Sequence, residues 1–385
     1  METHLADLCD YLADKGHQIS VITYHPAFSQ PHYRIPLDTK RLEIHGNIEI
    51  HRILSRGFFI SHLLPRLSGT FFEFLYFVPG LLAYSFVFMF VNYRKIDVIH
   101  AHGLASGLVG SLLSMFFRRR CIMSVHWIAG LDKRRVLRNL TRVLSFFCEK
   151  ILTLSIASKS EMIRAGIDSK KIVVFRYWVD QELFKPINKN YEKTILGFEG
   201  HFVVLFVGRL IKEKGIHLLV EIAKRFDHCG GNMLFLVAGD GPLRHELNLV
   251  QKKVKTLRWI GRLSNRDLSH YYGAADIVVV PSTHEEGFGR VILEALSCGT
   301  PVVASKKGGI PEALDPSVGF ALSPQVSTFV TTINILLQNP SLLKQMTEAC
   351  RPYAERQFSL NNAKLIEETL RHASRHTYGF NWCNH

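Results

Sequence analysis

Glu286 and Glu294 bracket a Gly-Phe-Gly turn in the run HEEGFGRVILEALSCGTPVVASKKGGIPE, residues 284–312. A glycine turn opening onto an apolar helix leaves free backbone N–H groups and the positive end of a helix dipole, the usual means of holding an anion. Glu286 before that helix would compete with a phosphate, so it suits sugar hydroxyls better. Glu294, two turns into the helix, suits a ribose. The rival chemistry is a hydrolytic pair, one carboxylate acting as acid and the other as nucleophile. Eight helical residues span about 12 Å, whereas retaining hydrolases need about 5 Å and inverting ones under about 10 Å. On that estimate the spacing disfavours hydrolysis.

The elements that must position these groups are short apolar runs, Phe202–Val207, Leu234–Ala238, Leu257–Ile260, Ile277–Val280 and Val302–Ser305. Such runs read as strands of a parallel sheet buried on both faces. In an open α/β sheet, ligands bind at the carboxyl ends of the strands. There the sequence places GRLIKEKG with Arg209 and Lys214, then GDGP, PSTHEEGFG and KKGGIPE. Arg209 brings a planar fork and Lys214 a point charge, both suited to phosphate oxygens. The N-terminal half alternates likewise, with strands expected at His17–Tyr24, Asp97–His102, Cys121–His126 and Ile151–Ser155. The aromatic and Pro-punctuated stretch Val173–Pro186 reads as a linker. Domains of 1–182 and 183–360 follow, with a helix near Leu360–His376 and a short tail completing 361–385.

The chain of 385 residues is 47% hydrophobic, enough for two cores, and carries a formal charge of +14. Residues 1–180 hold 23 Lys/Arg and 14 Asp/Glu, so 23 − 14 = +9 of that charge lies in the N-terminal half. Nucleic acid is the least supported anionic partner, because no zinc finger, RNA-binding aromatic signature or basic-leucine repeat is present. Seven scattered cysteines without a CxxC pair fit unpaired thiols in a reducing compartment, and no cleavable leader precedes METHLADLCDYLADKGHQISVITY. The segment 70–91, TFFEFLYFVPGLLAYSFVFMFV, is long enough to span a bilayer. Glu73 and Pro79-Gly80 weaken that reading, and Arg66, Arg94 and Lys95 suit an interfacial helix on an anionic membrane. His100 and His102 lack a third ligand at convincing spacing, so no metal site is expected.

The run from Glu286 to Glu294 resembles the E-x7-E motif of glycosyltransferase family 4, retaining enzymes of the GT-B fold that use nucleotide sugars. VGRLIKEKG, AGDGPLRHEL and IGRLSNRDLSHYYGAADIVVVPS are similar to the family's flanking segments, as are METHLADLCDYLADKGHQISVIT, DVIHAHG and SVHW near the N-terminus. The resemblance implies an α/β GT-B fold of two Rossmann-like doubly wound domains facing a central cleft. Gly208, Arg209 and Lys214 would hold the donor diphosphate, and Glu286 with Gly287, Phe288 and Gly289 the transferred sugar. Glu294 would hold the ribose, Arg262 and Leu263 would meet the base, and His126 would face the donor sugar. No metal or cofactor is implied, since the nucleotide diphosphate sugar is a co-substrate and the leaving phosphate helps deprotonate the acceptor.

Three features depart from the family. Met1 stands where its E-T-H helix begins, so the expectation is either a start placed too late or an N-terminal domain without its first strand and glycine-rich turn. Tyr177-Trp178-Val179-Asp180 replaces the common Asn-Gly-Val-Asp, and Arg290 replaces a small or apolar residue. The expectation is a cytoplasmic retaining hexosyltransferase acting on a lipid-linked or other glycan acceptor, peripheral to the inner membrane face. The alternatives are a nucleotide-sugar epimerase of the same fold and an inactive donor-binding subunit.

Overall fold

The computed structural model describes residues 2–24, 40–53, 70–126, 128, 130–227 and 232–375, which divide into two compact units. One contains residues up to Leu154, Lys159–Phe175 and the segment from Ala363; the other contains Ser155–Ser158 and Arg176–Asn362. Arg66, Cys229, Cys383 and the tail from His376 lie outside the described residues, as does the side chain of Glu73.

In the N-terminal unit the order is α1 (Glu2–Asp14), β1 (Ile19–Tyr24), β2 (Leu42–His45), β3 (Ile48–Ile53), α2 (Thr70–Asn92), β4 (Val98–His102), α3 (Leu104–Phe117), β5 (Arg120–Val125), α4 (Arg135–Phe147), β6 (Lys150–Thr153), α5 (Ile156–Arg164) and β7 (Ile172–Val174). Strands β4-β5-β6-β7 form one parallel sheet, while β1-β3-β2 form a separate small one. Among the described residues, the strands of this unit thus divide into two sheets. A cavity of about 740 Å³ lies between β1 and β4, walled by apolar residues of α1, α2 and α3 such as Leu8, Met89 and Val109. The sequence reading missed β2 and β3, because they are short, half polar and little buried, around a Gly46-Asn47 turn with Gly46 at φ +56°. Helix α2 continues through Pro79 and Gly80. Among the described residues no helix is long and apolar enough to cross a membrane.

The C-terminal unit follows as α6 (Lys189–Leu196), β8 (Phe202–Val207), α7 (Ile216–Asp227), β9 (Met233–Ala238), α8 (Arg244–Val250), β10 (Leu257–Gly261), α9 (Asn265–Ala274), β11 (Ile277–Val280), α10 (Arg290–Ser297), β12 (Val302–Ser305), β13 (Gly319–Leu322), α11 (Val326–Gln338) and α12 (Pro340–Phe358). Its six strands are all parallel in the order β10-β9-β8-β11-β12-β13. The apolar runs are fully buried at β11 and β12 and across the middle of β8, because helices cover both faces of a parallel sheet. The strand order reverses between β8 and β11, and a doubly wound sheet opens its crevice at such a reversal. The last helix, α13 (Ala363–Arg375), packs in the N-terminal unit, where Glu367 accepts hydrogen bonds from Tyr11 Oη at 3.1 Å and His17 Nε2 at 3.3 Å.

The interior of the N-terminal unit carries a histidine cluster at the carboxyl ends of β4 and β5. His102 Nδ1 and His126 Nε2 lie 3.0 Å apart, His100 Nε2 meets Ser124 Oγ at 2.7 Å, and His4 stacks on Phe175. Burial pushes His100 down to about 3 and His126 to about 4, and it holds His102 well below the ordinary imidazole range. The unfolded chain therefore binds protons near pH 6.5 that the folded unit refuses. Stability should be level above pH 6.5 and fall as pH drops from there toward 4, by about 1.4 kcal/mol per pH unit for each histidine so held. Urea unfolding at pH 7.5, 6 and 5 checks this, and midpoints that do not move below pH 6.5 would contradict it.

Candidate active site

Three glycines form a shelf at the carboxyl ends of β8, β9 and β10. Gly208 N donates to Ala238 O at 3.0 Å and Gly239 N donates to Gly261 O at 2.7 Å. Gly239 has φ +140°, and a Cβ there would overlap Gly208 O, so only glycine lets these strand ends approach. Beyond Gly208 the chain turns through Arg209 to Lys214. Gly215, at φ +78°, closes that turn so tightly against Pro281 O that a Cβ would clash with it. Arg209 is exposed and has no ion-pair partner among the described residues. Arg262 is exposed and Leu263 half-buried just past β10.

The turn brings Lys214 to Glu286. Lys214 Nζ lies 2.8 Å from Glu286 Oε1, and Ser282 Oγ donates to the same oxygen. Glu286 is only 7% exposed. Burial alone would raise its pKa, but the charge and hydrogen bond of Lys214, with Ser282 and His284, outweigh this and hold it below the usual range. It is thus a carboxylate with one oxygen engaged. Part of the charge of Lys214 is matched by this pairing.

The glycine turn between the carboxylates does different work at each position. Phe288 points inward, 2% exposed, and packs edge-on against Phe358 at 5.8 Å between ring centroids. It anchors the turn, leaving only its backbone for a ligand. Gly287 O crowds against Gly309, where a Cβ would overlap it, and Gly309 N donates to Glu286 O at 2.8 Å. The loop after β12 is therefore tied to the same turn, with Glu285 accepting from Gly308 N. Gly289, at φ +87°, is the N-cap of α10. That left-handed conformation leaves the first N–H groups of the helix without a side-chain cap.

The helix begins only at Arg290, so Glu294 sits about one turn in, not two, and residues 286–289 are not helical. The straight-helix estimate of carboxylate separation therefore does not apply. Partners distinguish the carboxylates instead. Glu294 Oε2 accepts from Tyr272 Oη at 2.9 Å, and its Oε1 accepts from Arg290 Nε at 3.1 Å. Burial, reinforced by Glu294, pushes the Tyr272 hydroxyl well above its ordinary pKa, so Tyr272 stays a donor. Glu294 is thus held at both oxygens, and Glu286 is not held as a proton-carrying acid.

Sequence reasoning missed Ser282 and Tyr272. Ser282 follows β11 and had no motif to mark it, and Tyr272 reads as an ordinary apolar position of a helix. Arg290, noted only as a departure, proves to brace Glu294. The replaced segment Tyr177-Trp178-Val179 is buried, and Val179 N donates to Phe358 O at 3.2 Å, so its aromatics serve packing. His126 belongs to the histidine cluster of the N-terminal unit, half-buried at the end of β5. Among the described residues no group of His, Cys, Asp or Glu is arranged to hold a metal ion.

A sequence profile described as Glycosyltransferase Family 4 matches residues 1–183, and one described as Glycosyl transferases group 1 matches residues 188–353. One subunit of the human phosphatidylinositol N-acetylglucosaminyltransferase is 25% identical over 342 residues, covering 85% of this chain and 63% of the relative. A D-inositol 3-phosphate glycosyltransferase of Saccharomonospora viridis is 28% identical over 68% of this chain and 66% of its own. The chain thus spans slightly under two thirds of the human relative. Among solved structures, sucrose-phosphate synthase from Thermosynechococcus elongatus superposes with a TM-score of 0.81 at 19% identity, covering 96% of this chain and 92% of that one. Anabaena HepE in complex with UDP gives 0.71 at 23% identity, covering 85% and 87%. With its two parallel-sheet units, the fold is GT-B.

Proposed function

Because this chain belongs to glycosyltransferase family 4, we propose that it transfers a hexose from a nucleoside diphosphate sugar with retention of configuration. The observation that carries the reading is the buried carboxylate Glu286, pinned by Lys214 and Ser282 beside an uncapped helix N-terminus. Glu286 would accept hydroxyl hydrogen bonds of the transferred sugar through its remaining lone pairs. The diphosphate would lie against the first N–H groups of α10, with Arg209 and Lys214 taking its oxygens and Gly208 letting them approach. Glu294, held on one side by Tyr272 and on the other by Arg290, would accept the ribose hydroxyls, and Arg262 and Leu263 would flank the base. Charge building on the departing diphosphate is met by the two cations and the helix end, which supports catalysis without a metal. The relatives named for inositol phosphate and phosphatidylinositol support a lipid-linked or polyol acceptor.

Incubation with nucleotide sugars and a panel of lipid and polyol acceptors, followed by NMR of the new anomeric proton, should show transfer with the donor's configuration kept. Inversion, or conversion of donor to its epimer without acceptor, would overturn the reading. Replacing Glu286 by Gln should lower kcat by roughly a hundredfold or more while leaving the melting temperature close to the parent's, and an active Glu286→Gln enzyme would remove this residue from the site. Tyr272→Phe frees one oxygen of Glu294. It should weaken binding of the bare nucleoside diphosphate about three- to tenfold, the value of one lost hydrogen bond, as read by calorimetry. Unchanged affinity would show that Glu294 does not hold the ribose.

A further inference from the structure

Strands β4 to β7 are parallel, so every turn leading from a helix into this sheet reaches the same edge, at the strands' amino-terminal ends. That edge is opposite the one where a doubly wound sheet binds ligands. Three helices end there with large apolar side chains in solvent. Phe90 and Val91 at the end of α2 are 69% and 73% exposed, Phe116 at the end of α3 is 66% exposed, and Phe146 at the end of α4 is 78% exposed. Each end is followed at once by basic residues, namely Arg94 and Lys95, then Arg118 to Arg120, then Lys150. Lys170 and Lys171 join them ahead of β7.

Short bonds knit these turns into one surface. Arg119 Nη2 donates to Tyr93 O at 2.7 Å, Arg120 pairs with Glu149 at 3.0 Å, and Lys171 Nζ donates to Phe146 O at 3.2 Å. Phe86 touches Phe116 with centroids 4.8 Å apart, joining α2 to α3. The acidic residues on this edge are Asp97, Glu149 and Asp168, outnumbered by the cations around them. Protruding aromatic tips inside a basic rim match an anionic bilayer twice, since the rings enter the acyl boundary while arginine and lysine meet phosphate headgroups.

We propose that this edge of the N-terminal unit, carrying Phe90, Phe116 and Phe146 within the Arg94, Lys95 and Arg118 rim, docks on an anionic lipid bilayer. The surface differs from the interfacial helix 70–91 considered from sequence: only the last turns of α2 take part, and two further helix ends complete it. Docking by this edge leaves the carboxyl ends of the same strands facing away from the lipid. The proposal does not depend on the transferase reading, because vesicle binding is measured without donor or acceptor.

Flotation with vesicles of phosphatidylcholine and phosphatidylglycerol tests it, with pure phosphatidylcholine as the reference. The protein should float with the anionic vesicles at low salt and lose roughly tenfold or more in partitioning at high salt. The triple variant Phe90→Ser, Phe116→Ser, Phe146→Ser and the double variant Arg94→Glu, Arg118→Glu should each lose roughly tenfold at low salt, with circular dichroism and melting temperature unchanged. All of these positions are on the surface, so either variant alone decides if the other fails to fold. Absence of flotation at low salt, or flotation that both variants retain, would overturn the proposal. So would a dimer that dissociates in the phenylalanine variant while vesicles bind nothing, since the face would then join two copies of the chain.

Discussion

A carboxylate taken out of water must be matched by a cation and by hydrogen-bond donors, and the C-terminal unit is organised around that demand at Glu286. Removing Lys214 would cost on the order of 3 kcal/mol, because the Glu286 charge would be left buried, whereas Lys214 is partly exposed and reaches water when Glu286 is neutralised. Lys214 can reach Glu286 only because Gly215 lets its turn lie against Pro281. The turn carrying Glu286 is in turn fixed by Phe288 beneath it and by Gly309 and Gly308 beside it. Each contact removes a degree of freedom from one side chain, so the carboxylate is aimed before any ligand arrives. Preorganisation of this sort turns a hydrogen-bonding group into a catalytic one.

The second carboxylate is braced by other means. Tyr272 is fully buried and Arg290 comes from one turn earlier in the same helix, so Glu294 is oriented from both sides. An arginine beside a carboxylate that must accept hydroxyl groups looks at first like a competitor. Its Nε takes one lone pair of Oε1. The departure from the family pattern at position 290 thus helps orient Glu294. Helix α12 supplies Phe358 as apolar support for Phe288.

Much of the fold was legible because it is written in long apolar periods. The strands from Phe202 to Ser305 appeared at nearly their observed limits, since a parallel sheet buried on both faces leaves an uninterrupted apolar signature. Strands β2, β3, β7 and β13 were invisible for the converse reason, being short, partly exposed or begun by glycine. Of the site, sequence found the carboxylates, the cations and the glycines, which sit in contiguous motifs. It could not find Ser282 and Tyr272, whose importance arises from contacts across 4 and 22 residues that no spacing rule predicts. It also took α10 to begin too early, because a glycine turn and the first turn of a helix look alike until the φ of +87° at Gly289 is known. The exposed phenylalanines at three helix ends were likewise hidden, as only the sheet topology brings them to one edge.

If Glu286 and Lys214 act as one unit toward the donor, their contributions to binding cannot be independent. A double-mutant cycle with Lys214→Met and Glu286→Gln, read as nucleotide-sugar affinity by calorimetry, measures this directly. The account predicts a coupling of about 1–3 kcal/mol, the double variant binding far better than the two single losses imply. Losses that add within about 0.5 kcal/mol would show two separate side chains that merely lie close together, and would contradict it.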